Sequence, residues 1–338
     1  MSLIVCIFTA ILKGSSMRRI YMLLLALVAL TTAYAGQPDG KDYAIVNISV
    51  CNMRRTPDFD AEMVTQAQMG MVCRVLDFQT WYQIQSPDDY TGWTHPKALH
   101  RVTLEEMQAW NRAEKVVVTA LTGVVYSKAN VKSQTISDVV AGDRMRYLGK
   151  KGKFYTVALP DGREGYLLKM DGKPLEEWRK GLKNDAESIL ETAKQLLGFP
   201  YIWAGTSVKG MDCSGYVRTV LYQHDMIIPR DASQQAVTGQ RIEIAKDFSN
   251  LQPGDLVFFG RVADGKERVG HVAFYLGNKE FIHCLGLVER SSFDPAAPNY
   301  DAYNTGRVLF AARVLPYINK EKGLNTTDRN PYYQVDFR

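Results

Sequence analysis

Cysteine is scarce, with five residues among 338, and so is any excess of charge: 41 Lys and Arg stand against 36 Asp and Glu. Four of the cysteines, Cys51, Cys73, Cys213 and Cys284, lie beyond residue 35. Four over roughly 300 residues are too few for a disulfide scaffold. Lys13, Arg18 and Arg19 fall in the first 35 residues, which hold no acid, so the rest of the chain is close to neutral. Neither a nucleic-acid footprint nor a membrane-surface one survives that subtraction. No apolar run reaches the about 20 residues of a membrane span, and no Cys-x-x-Cys or His-x-x-x-His spacing marks a metal site. With 46% hydrophobic residues, a disordered chain is excluded too.

The first 35 residues read instead as an export signal. Met17-Arg18-Arg19 supplies a positive start, Ile20 to Leu30 an apolar stretch, and Ala33-Tyr34-Ala35 a small-x-small cleavage pattern. Met17 opens a complete signal by itself, which leaves Met1 or Met17 as the start and makes residues 1–16 an upstream extension in the second case. No Cys follows the apolar stretch directly, which speaks against a lipid anchor. The expected localisation is exported, periplasmic or secreted, with no stable membrane insertion once the signal is cut.

Two stretches repeat each other. Gly70, Tyr82, Pro87-Asp88-Asp89-Tyr90 and Gly92-Trp93 are echoed by Gly142, Tyr155, Pro160-Asp161-Gly162-Arg163 and Gly165-Tyr166, with Pro87 to Pro160 and Gly92 to Gly165 each 73 residues apart. Short alternating strands joined by such turns predict two small β-barrels, at 41–102 and 115–172. Thr103 and Glu106 stand in capping-box register and predict a linker helix over 103–114. Trp81, Trp93 and Trp110 are expected in barrel and linker cores. Cys51 and Cys73 fall on neighbouring predicted strands, either as a disulfide or as buried thiols.

From Glu176 the period becomes helical: Trp178, Leu182, Ala186, Ile189, Leu190, Ala193, Leu196 and Leu197 share one face, and Gly198 and Pro200 end it. A second helix is expected after Asp212, then strands at 256–259, 271–276, 281–283 and 308–314. Helices followed by antiparallel strands predict an α+β domain over 176–318. The polar segment 319–338 reads as a tail.

Cys213 stands between a glycine-rich turn and the second helix. The positive end of a helix dipole lowers a thiol's pKa, which suits a nucleophile; the same position equally suits a small packed residue. His271 and His283 each sit on a short strand, twelve residues apart. A Cys nucleophile needs a His to take its proton and a third group to fix that ring's tautomer, and Cys213, His271 and His283 can fill those places. Two core histidines satisfied by neighbours would read alike. Zinc held by Cys213, His271, His283 and Cys284 is disfavoured, since His283 and Cys284 point to opposite faces of one strand. No metal or other cofactor is expected.

Five ordered blocks then narrow the choice: Pro200-Tyr201-Ile202-Trp203-Ala204-Gly205, Gly210-Met211-Asp212-Cys213-Ser214-Gly215-Tyr216, Pro229-Arg230-Asp231-Ala232-Ser233-Gln234, Pro253-Gly254-Asp255-Leu256-Val257-Phe258-Phe259 and Gly270-His271-Val272-Ala273. Together they resemble the NlpC-type cell-wall peptidase family over about residues 185–318. With two bacterial Src-homology-3-like barrels in front, the subgroup called dipeptidyl-peptidase VI is the nearest match. The resemblance implies a papain-like α+β catalytic domain preceded by two small all-β barrels. It also implies an activity, hydrolysis of the bond between γ-D-glutamate and a diamino acid in peptidoglycan peptides, with a free N-terminal L-alanine bound. Carried over, Cys213 is nucleophile, His271 base, His283 the orienting residue, and Tyr201 lies near the oxyanion. Asp231, Ser214, Tyr90 and Glu62 are implied for substrate binding. The expected partner is a peptide of the type L-Ala-γ-D-Glu-diamino acid. Ala204 departs from the family pattern, in which a second Gly is commoner, and this questions the tightness of that turn. A wall-binding protein with an inactive peptidase domain, and an amidase or acyltransferase using the same three residues, are the alternatives.

Overall fold

The computed structural model describes residues 39–334; the expected export signal lies outside them. Strands β1 (Tyr43–Val46), β2 (Val50–Arg54), β3 (Met63–Gln68), β4 (Val72–Phe78), β5 (Tyr82–Gln85), β6 (Thr91–Thr94) and β7 (Leu99–Val102) pair in the order β3-β2-β6-β5-β4-β1-β7. After helix α1 (Leu104–Arg112) come β8 (Lys115–Val118), β9 (Thr122–Tyr126), β10 (Thr135–Val140), β11 (Arg144–Lys151), β12 (Phe154–Ala158), β13 (Glu164–Leu168) and β14 (Gly172–Pro174). Their order, β10-β9-β13-β12-β11-β8-β14, is the first sheet's order advanced by seven strands. The sequence repeat is thus a repeat of topology. Thr103 and Glu106 cap α1 reciprocally, and Trp81, Trp93 and Trp110 are buried. Cys51 and Cys73 are buried free thiols. They sit on β2 and β4, strands that are not neighbours in the sheet, and the Cys51 sulfur lies 2.8 Å from Thr94 Oγ1 instead.

The helical face after Glu176 is split. Helices α2 (Leu175–Gly181) and α3 (Ala186–Gln195) are separated by an extended Leu182 and by Asp185, whose carboxylate accepts the Ser188 N–H at 2.8 Å and starts α3 afresh. The break lets the two halves serve different cores: Trp178 packs on Val117 of the second sheet, whereas Ile189, Leu190 and Ala193 enter the core of the α+β domain. Leu197, expected on the same face, is exposed.

The α+β domain continues with β15 (Thr206–Ser207), β16 (Gly210–Met211), helix α4 (Cys213–Tyr222), β17 (Met226–Ile227), the single turn α5 (Ala232–Gln235) and β18 (Gln240–Ile242). Then come β19 (Leu256–Ala263), β20 (Lys266–Gly277), β21 (Glu280–Leu285), β22 (Leu287–Ser292), α6 (Ala302–Thr305) and β23 (Val308–Arg313), all strands antiparallel in the order β18-β23-β19-β20-β21-β22. Tyr216, Val217, Val220 and Leu221 of α4 pack on Phe258, Val272, Phe274 and Ile282 of this sheet. β19 and β20 extend past the expected strands as a hairpin arm, and β22 had no alternating pattern to reveal it.

The segment read as a tail is built into the fold. β24 (Asn325–Thr326) pairs with β17, and Leu324, Thr327, Asn330 and Tyr332 are buried. Thr327 Oγ1 joins Asp225, Arg144 of the second sheet and Arg179 of α2 in one buried cluster. The first sheet is tied directly to the α+β domain as well. Gln66 Oε1 accepts from Thr206 N at 2.9 Å and Ser207 Oγ at 3.1 Å.

Candidate active site

Cys213 is the first residue of α4, and Asp212 before it is the N-cap, accepting the Gly215 N–H at 2.7 Å. Gly215 is required by close approach: a Cβ there would stand 1.9 Å from the Gly205 carbonyl oxygen. The turn leading in contains Ala204 at φ +61°, its N–H donating to Asp212 Oδ2 at 3.0 Å. The tight turn therefore forms with alanine in a left-handed conformation, at a cost of about 1–2 kcal/mol. Arg230, almost wholly buried, anchors the underside of this helix start. It grips both carboxylate oxygens of Asp212 at 2.5 and 3.2 Å, donates to Ser214 Oγ at 2.8 Å, and reaches Thr65 Oγ1 of β3 at 3.1 Å. A buried guanidinium is tolerable only with such a full set of partners.

The thiol does not follow the expectation drawn from the helix dipole. Burial, then the Asp212 carboxylate, push Cys213 up to about 11, against the pull of the Val272 and Ser214 backbone N–H groups. Desolvation outweighs the dipole here because only 9% of the residue is exposed.

His271 on β20 and His283 on β21 are both buried and meet at 2.8 Å, Nε2 of the first to Nδ1 of the second. His283 Nε2 continues to Ser291 Oγ on β22 at 3.1 Å, with Asp301 Oδ2 at 4.0 Å. Burial, then His283, lower His271 to about 3; burial lowers His283 to about 4 against the pull of Asp301. Both rings are neutral at pH 7. Cys284 faces the other way, its sulfur 3.1 Å from the Met211 carbonyl oxygen.

Cys213 opens onto a cleft of about 310 Å³ whose lining includes Tyr201, Trp203, Ser214, Asp231 and Gly270 of the α+β domain together with Arg55, Glu62 and Tyr90 of the first sheet. The Tyr201 phenol is raised to about 12, first by burial and then by Cys213, so it remains a hydrogen-bond donor. Tyr90 OH donates to Asp231 at 3.3 and 3.4 Å. Glu62 accepts from the exposed Trp203 indole at 3.0 Å and from Arg55 Nε at 2.8 Å. The Ser214 hydroxyl is engaged by Arg230 and Asp212 beneath the cleft.

Six of the eight residues singled out in the sequence, Glu62, Tyr90, Tyr201, Cys213, Ser214 and Asp231, line this cleft; the other two, His271 and His283, pair with each other on β20 and β21, the first of them next to Gly270 of the lining. Sequence reasoning missed the roles of Asp212 and Arg230, although both stand inside the quoted blocks. It also missed Ser291, Trp203 and Arg55. For Ser291 no local signal existed, since only the β21–β22 pairing brings it to His283.

The NlpC/P60 family model matches residues 198–305, and the model for the bacterial dipeptidyl-peptidase Sh3 domain matches residues 53–99. A protein of Bacillus cereus (strain ATCC 10987 / NRS 248) named gamma-D-glutamyl-L-lysine dipeptidyl-peptidase is 33% identical over 231 residues, 66% of this chain and 67% of that one. Dipeptidyl-peptidase 6 of Lysinibacillus sphaericus is 28% identical over 270 residues, 76% of this chain and 94% of its own length. The crystal structure of an NlpC/P60 family protein from Bacillus cereus superposes with a TM-score of 0.67 at 28% identity, covering 81% of this chain and 100% of that one. With a bacterial dipeptidyl-peptidase Sh3 domain in front of its α+β domain, the chain belongs to the NlpC/P60 family of cysteine peptidases.

Proposed function

We propose that the protein is exported and hydrolyses the bond between γ-D-glutamate and a diamino acid in peptidoglycan peptides, with a requirement for a free N-terminal L-alanine. The observation that carries this reading is the shared cleft, in which Cys213 is lined on one side by its own domain and on the other by Tyr90 and Glu62 of the first barrel. The name of the Bacillus cereus relative, gamma-D-glutamyl-L-lysine dipeptidyl-peptidase, points to the same class of bond.

Cys213 acts as nucleophile. With Ser291 Oγ accepting from His283 Nε2, the His283 Nδ1 lone pair accepts from His271 Nε2, and His271 Nδ1 is left bare as a proton acceptor. As the sulfur bonds to the scissile carbonyl carbon, the thiol proton passes to His271 Nδ1, and the imidazolium formed is stabilised through His283 and Asp301. The tetrahedral intermediate expels the diamino acid, whose nitrogen takes that proton, and water then hydrolyses the thioester. The Tyr201 phenol donates to the developing oxyanion. Replacing Tyr201 with Phe is expected to lower kcat about 10²–10³-fold with little change in KM, as for loss of one oxyanion donor. A rate within twofold of wild type places Tyr201 outside the reaction.

Asp231, with Tyr90 beside it, pairs with the substrate's terminal ammonium. Asp231 retains some solvent access, so the pairing is weaker than in a closed core. N-acetylation of L-Ala-γ-D-Glu-diaminopimelate is expected to lower kcat/KM about 10–100-fold, as for loss of a hydrogen bond between charged groups. Equal kcat/KM for the two peptides refutes the free-terminus requirement. Mass analysis of the products separates this peptidase from a wall-binding protein, which releases nothing, and from an amidase or acyltransferase, which yields other products.

A further inference from the structure

We infer that Asp88 and Arg218, with Asn330 of the C-terminal segment, are positioning residues that hold Tyr90 in place and thereby set the preference for a free amino terminus. The inference rests on the reading of the cleft given above.

Tyr90 is not placed by its own contact in the cleft, because hydrogen bonds of 3.3 and 3.4 Å to Asp231 are long and weak. Its position comes from the turn that carries it. Within that turn, Ser86 N donates to the Tyr90 carbonyl at 2.9 Å and Asp89 N to the Ser86 carbonyl at 2.9 Å, while Asp89 takes φ +61°. The Ser86 hydroxyl donates to Asp88 Oδ1 at 2.5 Å.

Two ties then fix the turn to the rest of the molecule. The Asp88 side chain has no exposed surface and pairs with Arg218 at 3.0 Å, itself 11% exposed. Asn330 Nδ2 donates to the Pro87 carbonyl at 2.8 Å. Arg218 lies on α4, the helix that begins at Cys213. Its other terminal nitrogen, Nη1, reaches Thr65 Oγ1 at 3.3 Å, the same hydroxyl that accepts from Arg230 Nε. A chain of polar contacts, through the Asp88–Arg218 ion pair and the Thr65 hydroxyl, therefore runs from the Tyr90 turn to Arg230 at the start of α4. One helix positions both the thiol and the wall of the pocket about it.

The test is the double variant Asp88→Asn/Arg218→Gln, which removes both charges together, because either single change leaves a buried ion unpaired and endangers the fold. Asn330→Ala, which spares the ion pair, serves as the second variant. Two readouts are taken beside the melting temperature. The first is kcat/KM for L-Ala-γ-D-Glu-diaminopimelate and its N-acetylated form. The preference of the wild type for the free amine is expected to fall about tenfold in the double variant, the weight of one hydrogen bond to a charged group, through KM for the free peptide. The acetylated peptide is cut as before, and Asn330→Ala moves in the same direction by less. Adding Tyr90→Phe to the double variant has no further effect on the preference.

The second readout needs no substrate. Burial and the Asp231 carboxylate hold the Tyr90 phenol above the ordinary tyrosine range. The Asp88 carboxylate adds to this, so the readout is taken in Asn330→Ala, which keeps that charge: in ring-labelled protein, with Tyr90→Phe for assignment, the Tyr90 titration followed by NMR is expected to move down. A lower melting temperature with unchanged preference, or an unchanged Tyr90 titration, overturns the inference. A wild type that treats both peptides alike overturns the functional reading instead, and the Tyr90 titration then decides the placement by itself.

Discussion

Replacing Cys213 with Ala is expected to lower kcat by about 10⁴–10⁶-fold, the range found when a covalent nucleophile is removed and only binding and oxyanion contacts remain. The change should leave the fold standing. Only one sulfur atom is lost, at the first residue of α4, where the helix is capped by Asp212 rather than by the thiol. A deleted buried atom of this size costs on the order of 1 kcal/mol, so the circular dichroism spectrum should match wild type and the melting temperature shift by only a few degrees. Peptide affinity should also persist, because Asp231, Tyr90 and Tyr201 are untouched, and the variant should bind L-Ala-γ-D-Glu-diaminopimelate in a calorimeter without releasing product. Substantial turnover by the folded variant would sink the assignment of Cys213. The neutral state of the resting thiol sharpens the point. With Cys213 raised to about 11 and both histidines lowered by burial, sulfur is expected to become nucleophilic only as its proton leaves, and in the proposed mechanism it leaves for His271, so that thiol and base act as one unit.

That coupling also explains what could be read from the sequence. A helix start announces itself locally, through an N-cap carboxylate, a glycine at the crowded contact and an apolar face, so Cys213 could be placed at the start of α4 from residues within a few positions of it. His271 and His283 sit on strands whose alternation is equally local. The sense of the thiol's pKa shift was not legible in the same way: the helix dipole is a property of the local chain, while desolvation depends on which distant strands cover the sulfur. Contacts between remote segments were hidden for the same reason. Asp231 meets Tyr90 across 141 residues and Asn330 meets Pro87 across 243, and no periodicity encodes such a pairing. The break between α2 and α3 had a local sign in Asp185, but the continuous apolar spacing masked it, since the two halves bury their faces in different cores. The C-terminal segment was read as a tail because its apolar residues are few; Leu324 and Tyr332 are nevertheless buried, and polar Thr327 and Asn330 are satisfied by partners on other domains.

Removing the two histidines should have unequal effects, and the inequality should depend on pH. His271→Ala deletes the proton acceptor, and general-base assistance is worth roughly 10²–10⁴-fold; with the thiol held up to about 11, the loss should lie at the upper end and be relieved only as the pH approaches that value. His283→Ala leaves the acceptor but removes the partner that fixes its tautomer, so it should retain more activity than His271→Ala at neutral pH. Ser291→Ala, one step further out, should cost no more than about tenfold, the weight of a single neutral hydrogen bond. The sign of the pH effect follows from what lowers His271. Only the neutral ring accepts a proton, so kcat/KM falls as the pH drops through the His271 pKa. In the wild type, burial and then the neighbouring His283 hold that pKa far below 6.5, and the acid limb should lie well under pH 6. In His283→Ala the neighbour is gone and water enters the space it filled. Both causes weaken, the His271 pKa rises toward its ordinary value, and the acid limb moves up with it. The deficit of His283→Ala relative to wild type should therefore be greater at pH 5 than at pH 8. Parallel profiles for wild type and His283→Ala, or equal and small losses for both histidine variants, would count against His271 as the base and against His283 as the residue that orients it.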